Sequence, residues 1–366
     1  MASSARFIVN TANKFSIAGR RIGAGEPPYV IAELSGNHLG DIERAFDLME
    51  AVSRAGADAV KIQTYTAATI TIDHDGPDFR IEGGPWAGRT LYDLYQEAHT
   101  PWEWHAALFE KARQIGLTIF SSPFDPTAVA LLQQLGAPAY KVASFELIDL
   151  PLIECMAQTG KPLLMSTGLA TAEEISEAVD AARGAGCSEL ALLHCTSGYP
   201  TPPDEANLAV MEQLAARFDA VVGLSDHTLG TAVAISAVAR GAAIVEKHVA
   251  LRRADGGPDA GFSLEPNEFA DMAEACGIAW RAIGSPEFSR TPSEAENLNF
   301  RRSLYVVQNI KAGELLSVEN LRSIRPGHGL APKYLPALLG RRAARDLARG
   351  TAISWDDVAG EHPEQS

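Results

Sequence analysis

Eight times between residues 29 and 249, a short run of β-branched or apolar residues ends in polar or charged ones and is followed by an Ala/Leu/Glu-rich stretch. This alternation constrains the chain most, because strands and helices in strict turn bury both faces of a parallel sheet. The runs are 29–34, 59–65, 117–122, 139–146, 162–167, 190–196, 221–227 and 243–249, and the clearest helices are 41–55, 102–115, 171–185, 204–216 and 266–283. In the first helix Ala45, Leu48, Met49 and Val52 recur at i, i+3, i+4 and i+7, the period of one helical face. Thr171-Ala172-Glu173-Glu174 reads as an N-cap with Glu at the third helical position. Eight units in succession predict a closed (β/α)8 TIM barrel. An open doubly wound sheet normally carries a Gly-rich phosphate turn, and SGNHLG (35–40) does not match it.

The 366 residues exceed one barrel by a small domain. We expect an N-terminal barrel over 1–284, a Ser/Pro/Glu-rich linker over 285–299 and a β-rich module over 300–366. That module is small enough to lean on the barrel or on another subunit. The long connection 66–101 reads as a lid or specificity loop. A net charge of −15, with no basic stripe, argues against a nucleic-acid partner. An anionic substrate would then need a local cationic pocket. The four cysteines form no C-x-x-C pair, which fits a reducing compartment. Residues 1–30 show no leader pattern, and the apolar stretch 231–245 is interrupted by Arg240 and too short to span a bilayer. The expected location is cytoplasmic, with no membrane partner.

Barrel chemistry sits at the C-terminal strand ends, and all eight ends here are polar. Glu33 closes the first. Lys61 and Gln63 share a face of the second, and Ser121-Ser122 end the third. The fourth carries Lys141, Ser144 and Glu146, with Lys141 of opposite parity, so either a bulge intervenes or one group lies beyond the regular strand. Ser225 and His227 share a face of the seventh, Glu246 and His248 of the eighth. An isolated polar strand end is usually a solvated rim residue, but lysines, glutamates and histidines together imply a shared site. His227 and His248, on neighbouring strands, can reach one divalent cation, with Glu146 as an oxygen donor; Mn²⁺, Mg²⁺, Co²⁺ and Zn²⁺ all suit. Lys61, Lys141, Ser122, Ser144 and Ser225 form a cradle for a phosphorylated carboxylate such as phosphoenolpyruvate.

The segments IAELSGNH (31–38), VKIQTY (60–65), SSPFD (121–125), YKVASFE (140–146), MSTGLA (165–170), HCTSGYPTP (194–202), GLSDHT (223–228), EKH (246–248) and PDAGFSLEP (258–266) resemble the sialic acid synthase family. The tail, from FRRSLYVV to LGRRAARD, resembles its antifreeze-like (SAF) domain. The loop 83–105 is similar to that of the pseudaminic acid synthase branch, which uses a doubly acetamidated 6-deoxy L-altrose in place of N-acetylmannosamine. Ser197 stands where sialic acid synthases usually carry Asn. The resemblance implies His227 and His248 as metal ligands (Mn²⁺ first), with Glu146 reaching the metal through water. It implies Lys61, Ser122, Lys141, Ser144 and Ser225 around phosphoenolpyruvate, and Glu33 in catalysis. Gln63, Tyr199, Asp259 and Phe300 would line the sugar site, and Arg325 would be lent across a domain-swapped homodimer. N-acetylneuraminate or legionaminate synthesis is the alternative within the family. An aldol-type lyase with a Schiff base on Lys141 or Lys247 and a non-enzymatic sugar-binding module are rivals outside it.

Overall fold

The computed structural model describes residues 13–360 apart from Pro85 and Pro286. The first twelve and last six residues, assigned above to the two domains, lie outside the described residues. Two antiparallel strands come first, β1 (Lys14–Ile17) and β2 (Arg20–Gly23). The barrel follows: β3 (Tyr29–Glu33), β4 (Ala59–Thr64), β5 (Thr118–Pro123), β6 (Tyr140–Val142), β7 (Leu163–Ser166), β8 (Leu190–Cys195), β9 (Val221–Asp226) and β10 (Ile244–His248). These eight pair in parallel and in chain order, and β10 returns to β3, which closes the barrel.

Each barrel strand is buried on both sides, and alternate residues serve two cores. Tyr29, Ile31, Phe120, Leu164, Leu193 and Ile244 belong to the inner cluster together with Phe15, Ile17 and Ile22 of the hairpin, which therefore plugs the N-terminal end. Val30, Val60, Ile119, Val142, Met165 and Val245 pack outward under the helices. With its N-terminal end filled by apolar residues, the barrel confines polar chemistry to the opposite end.

Ala45, Leu48, Met49 and Val52 are the buried face of helix Ile42–Arg54, as their spacing requires. Thr171 and Glu174 cap helix Ala172–Gly184 reciprocally, at 3.2 and 2.7 Å. Two readings need correction. The fourth strand ends at Val142 instead of running to residue 146, because Ser144–Glu146 is a 3-10 turn closed by Glu146 N–H to Ala143 O at 3.1 Å. The helix expected over 204–216 starts at Val210, after a turn at Pro203–Glu205 and Asn207 at φ 40°. Within the segment 285–299, Thr291 caps a short helix Pro292–Ala295, which runs into a 3-10 turn Glu296–Phe300.

The chain divides into two compact units, Met1–Gly284 and Ser285–Ser366. The second pairs β11 (Ser303–Val306) with antiparallel β12 (Leu321–Ile324) and adds four isolated antiparallel bridges. Its own core includes Leu304, Val306, Ile310, Leu321, Leu347 and Ile353. Among the described residues, no helix is long and apolar enough to cross a membrane.

Candidate active site

The strand register brings the polar ends to one level. Glu33 sits opposite Lys61, Gln63 opposite Ser122, Glu246 opposite Ser225 and His248 opposite Glu33. All continue the parity of the inner core, so all face the barrel mouth. They open onto a cavity of 520 Å³ whose lining includes Glu33, Lys61, Gln63, Lys141, Ser144, Glu146, Tyr199, Ser225, His227, Glu246, His248 and Asp259, within the usual range for small-molecule sites.

Lys61 links two carboxylates, Glu33 Oε2 at 3.0 Å and Glu246 Oε1 at 3.4 Å, and donates to Ser122 Oγ at 3.4 Å. Glu33 also accepts from Gln63 Nε2 at 2.8 Å, and Glu246 Oε1 from Ser225 Oγ at 3.0 Å. Burial pushes the Glu33 carboxyl up, and the nearby Glu246 charge adds to this against the opposing pull of Lys61.

Lys141 is different. Its ammonium is 1% exposed and donates to Ser166 Oγ at 2.6 Å and Val142 O at 3.0 Å. Among the described residues no carboxylate lies within ion-pair distance of it, and burial pulls its pKa down. Glu246 and Glu33 oppose that pull without touching the ammonium, so its burial is compensated only in part and a ligand's anion can supply the rest. Ser144 lines the same cavity, its Oγ accepting from Gly168 N–H at 3.2 Å. A Cβ on Gly168 would stand 2.3 Å from Ser197 Oγ and 2.7 Å from Ser144 Oγ, so only glycine leaves this corner open.

His227 and His248 meet at the mouth with ring centroids 5.3 Å apart. His227 Nδ1 donates to Thr196 O at 3.1 Å, which leaves Nε2 with its lone pair whenever the ring is neutral. Burial drives His248 well below the ordinary histidine pKa, and the neighbouring His227 and lysine charges reinforce this, so its ring is neutral. Its buried Nδ1 has no hydrogen-bond partner, and Asp259 Oδ2 lies 3.8 Å away. Against the pull of burial, Cys195 and the Thr196 carbonyl raise His227 above the ordinary histidine pKa, so this ring must give up a proton before its Nε2 can ligate; with His248 neutral and its Nδ1 without a hydrogen bond among the described residues, the pair then offers nitrogen ligands to a divalent cation. Burial raises Glu146 to about 7, and its Oε2 is buried without a partner. Tyr199 packs against His227, Phe262 and Trp86 at centroid distances of 4.5, 5.4 and 5.5 Å.

The 3-10 turn resolves the parity conflict at the fourth strand. Lys141 faces inward from the strand, and the turn carries Ser144 and Glu146 to the same mouth. Lys247 faces outward, buried against Asp226 Oδ2 at 2.7 Å and Thr228 O, which removes it as a Schiff-base nucleophile in the mouth. Phe300 and Arg325 belong to the second unit, and both are exposed there. Sequence reasoning assigned no role to Glu246, Ser166, Cys195 or Trp86, all of which line the cavity. Inward parity on the barrel strands marked the first three; Trp86 left no such signal.

Residues 48–288 match the NeuB family and residues 301–359 the SAF domain. The chain is 42% identical to a pseudaminic acid synthase of Helicobacter pylori, over 91% of this chain and 98% of that protein. It is 33% identical to an N,N'-diacetyllegionaminic acid synthase of Legionella pneumophila, over 92% and 96%. It resembles the crystal structure of an N-acetylneuraminic acid synthetase from Leptospira borgpetersenii, with a TM-score of 0.70, 28% identity and coverage of 79% of this chain and 96% of the other.

Proposed function

This chain belongs to the NeuB family, and from that premise we propose that it is a pseudaminic acid synthase. It joins phosphoenolpyruvate, a doubly acetamidated 6-deoxy L-altrose and water to give a nine-carbon 2-keto acid and phosphate. One observation supports the chemistry above all: the buried Lys141 ammonium, with no carboxylate in direct contact among the described residues, opens onto the same cavity as the paired imidazoles. An anion and a cation site side by side suit an enolic phosphate and a polarised carbonyl. The identity of 42% to a pseudaminic acid synthase, against 33% to a diacetyllegionaminic acid synthase, supports the branch.

In this reading Lys61, Lys141, Ser122, Ser144 and Ser225 hold the phosphate and carboxylate of phosphoenolpyruvate. Its C3 forms a bond to the aldehyde carbon of the open-chain sugar, which Gln63, Tyr199 and Asp259 position. Positive character develops at C2 and water adds there. Glu33 and Glu146 are the carboxyls placed to accept the proton that this water loses. The tetrahedral adduct then loses phosphate by C–O cleavage, and the lysines and hydroxyls stabilise the departing anion. His227 and His248 would hold a divalent cation, Mn²⁺ as first candidate with Mg²⁺ or Co²⁺ as alternatives, and Glu146 would approach it through water. When bound, such a cation supplies Lewis-acid polarisation of the sugar carbonyl.

We also read the protein as a cytoplasmic homodimer in which the second unit, through Arg325 and Phe300, completes a sugar site. Leu39, Phe145, Ile148, Leu169 and Leu229, on βα turns around the mouth, are between 40% and 72% exposed. Leu39 and Leu169 hold left-handed φ values of 53° and 67°, where a leucine is strained. A covering partner chain accounts for such a collar.

Phosphate release with phosphoenolpyruvate and each sugar tests the reading. The diacetamido 6-deoxy L-altrose is expected to support turnover at least about tenfold above N-acetylmannosamine. Equal or faster release with N-acetylmannosamine would select the N-acetylneuraminate alternative.

A further inference from the structure

We propose that the segment 66–101 is the sugar-selecting element. Its apolar face receives the C6 methyl of the deoxy sugar and discriminates against a hydroxyl at that carbon. The proposal rests on the reading of the activity given above.

The cavity has two chemically distinct sides. Its floor is the polar ring of barrel strand ends. Its wall is built largely from this one connection, whose side chains Ile70, Ile81, Trp86, Leu91 and Leu94 all line the cavity. Four of these are only half-buried, so they hold apolar surface ready for a ligand. Tyr95 and Ala98 of the same segment line it too; of these seven, Trp86 and Tyr95 carry a polar side-chain atom, and the Trp86 indole N–H is already used, donating to Pro258 O at 3.0 Å. A C6 hydroxyl placed against Ile70, Ile81, Leu91 and Leu94 would lose water with no hydrogen bond in return. A methyl group would gain from burial.

The wall is also preformed. Ile81 pairs with Gly88 and Arg89 through Ile81 N–H to Arg89 O at 2.9 Å and Gly88 N–H to Ile81 O at 2.8 Å, continued by a bridge between Arg80 and Thr90. Arg89 pairs with Glu97 at 2.8 Å, and Thr90 caps helix Leu91–Ala98 by accepting from Asp93 N–H at 3.1 Å. Trp86 fastens the tip of this turn to Pro258, next to Asp259, and packs on Tyr199. Shape is therefore fixed before the sugar arrives, which lets a methyl and a hydroxymethyl be told apart. An apolar surface rejects an added hydroxyl only moderately, so the expected selectivity is on the order of 10- to 100-fold.

The test compares kcat/KM for the 6-deoxy sugar and its 6-hydroxy analogue in wild type, Leu91→Asn and Ile81→Thr, with thermal melting to confirm that each variant folds. Wild type should favour the 6-deoxy sugar within that range. Both variants should lose at least about tenfold on the 6-deoxy sugar and hold or gain on the 6-hydroxy analogue, with the KM for phosphoenolpyruvate unchanged. Equal losses on both sugars, or a parallel rise in the KM for phosphoenolpyruvate, would overturn the proposal while leaving the activity intact. Wild type that releases phosphate with N-acetylmannosamine but not with the 6-deoxy sugar would overturn the functional reading, and this inference with it.

Discussion

His248→Ala is expected to lower kcat by about three orders of magnitude or more, equivalent to about 4 kcal/mol in the barrier, while the protein stays folded. The two effects separate for a physical reason. The ring is 7% exposed, is held neutral by burial, and its Nδ1 lacks a hydrogen-bond partner. Removing it deletes an unsatisfied polar atom as well as packing against Phe262, at a centroid distance of 5.0 Å. The net change in stability should therefore stay within about 2 kcal/mol. Divalent metal measured on the purified variant should fall well below that on wild type, and chelator-treated wild type should lose activity to the same degree. A variant that keeps its metal and its turnover would remove the imidazole pair from the account, as would chelator-treated wild type that turns over normally.

Lys141→Met should move activity and stability in opposite directions. Lys141 has hydroxyl and carbonyl acceptors but no carboxylate among the described residues. The free protein thus carries the cost of a buried ammonium that Glu246 and Glu33 offset only without direct contact, and methionine of similar length fills the same space without it. Unfolding in urea without phosphoenolpyruvate should show equal or greater stability for the variant. Its kcat/KM for phosphoenolpyruvate should fall at least about 100-fold, the order of effect seen when one donor to a developing anion is lost. Adding phosphoenolpyruvate should raise the Tm of wild type and leave that of the variant nearly unmoved. A variant with unchanged affinity for phosphoenolpyruvate would show that the anion is held elsewhere.

Most of this architecture could be read from period and parity. The eight strands show in the sequence because each is a short apolar run ending in polar residues, and Lys61/Gln63, Ser225/His227 and Glu246/His248 keep inward parity through to the mouth. Lys141 with Ser144 and Glu146 could not be placed by parity, because the backbone leaves the strand at Val142 and turns before Ser144. The hairpin that plugs the barrel escaped notice because its strands have four residues each, too few for alternation to stand out. Trp86 acquires its place through a hydrogen bond to Pro258, 172 positions along the chain, and through packing on Tyr199, which no local pattern encodes. Asp259 was reached only through the family resemblance, since it follows the last barrel strand in a loop with no periodicity. The SGNH turn after the first barrel strand is partly structural. Asn37 ties its turn to Val249 O and Ser263 Oγ at 2.8 and 2.9 Å, and His38 accepts from Gly40 N–H at 3.1 Å.

The most direct test follows the oxygen that bridges carbon and phosphorus in phosphoenolpyruvate. With that atom labelled as oxygen-18 and the diacetamido 6-deoxy sugar as acceptor, mass spectrometry of the released phosphate should find the label there. Water has then added at C2, and the C–O bond has broken over the Lys61–Lys141 pocket. Unlabelled phosphate would mean that the P–O bond is cut instead, and the condensation described here would not be the reaction this barrel performs.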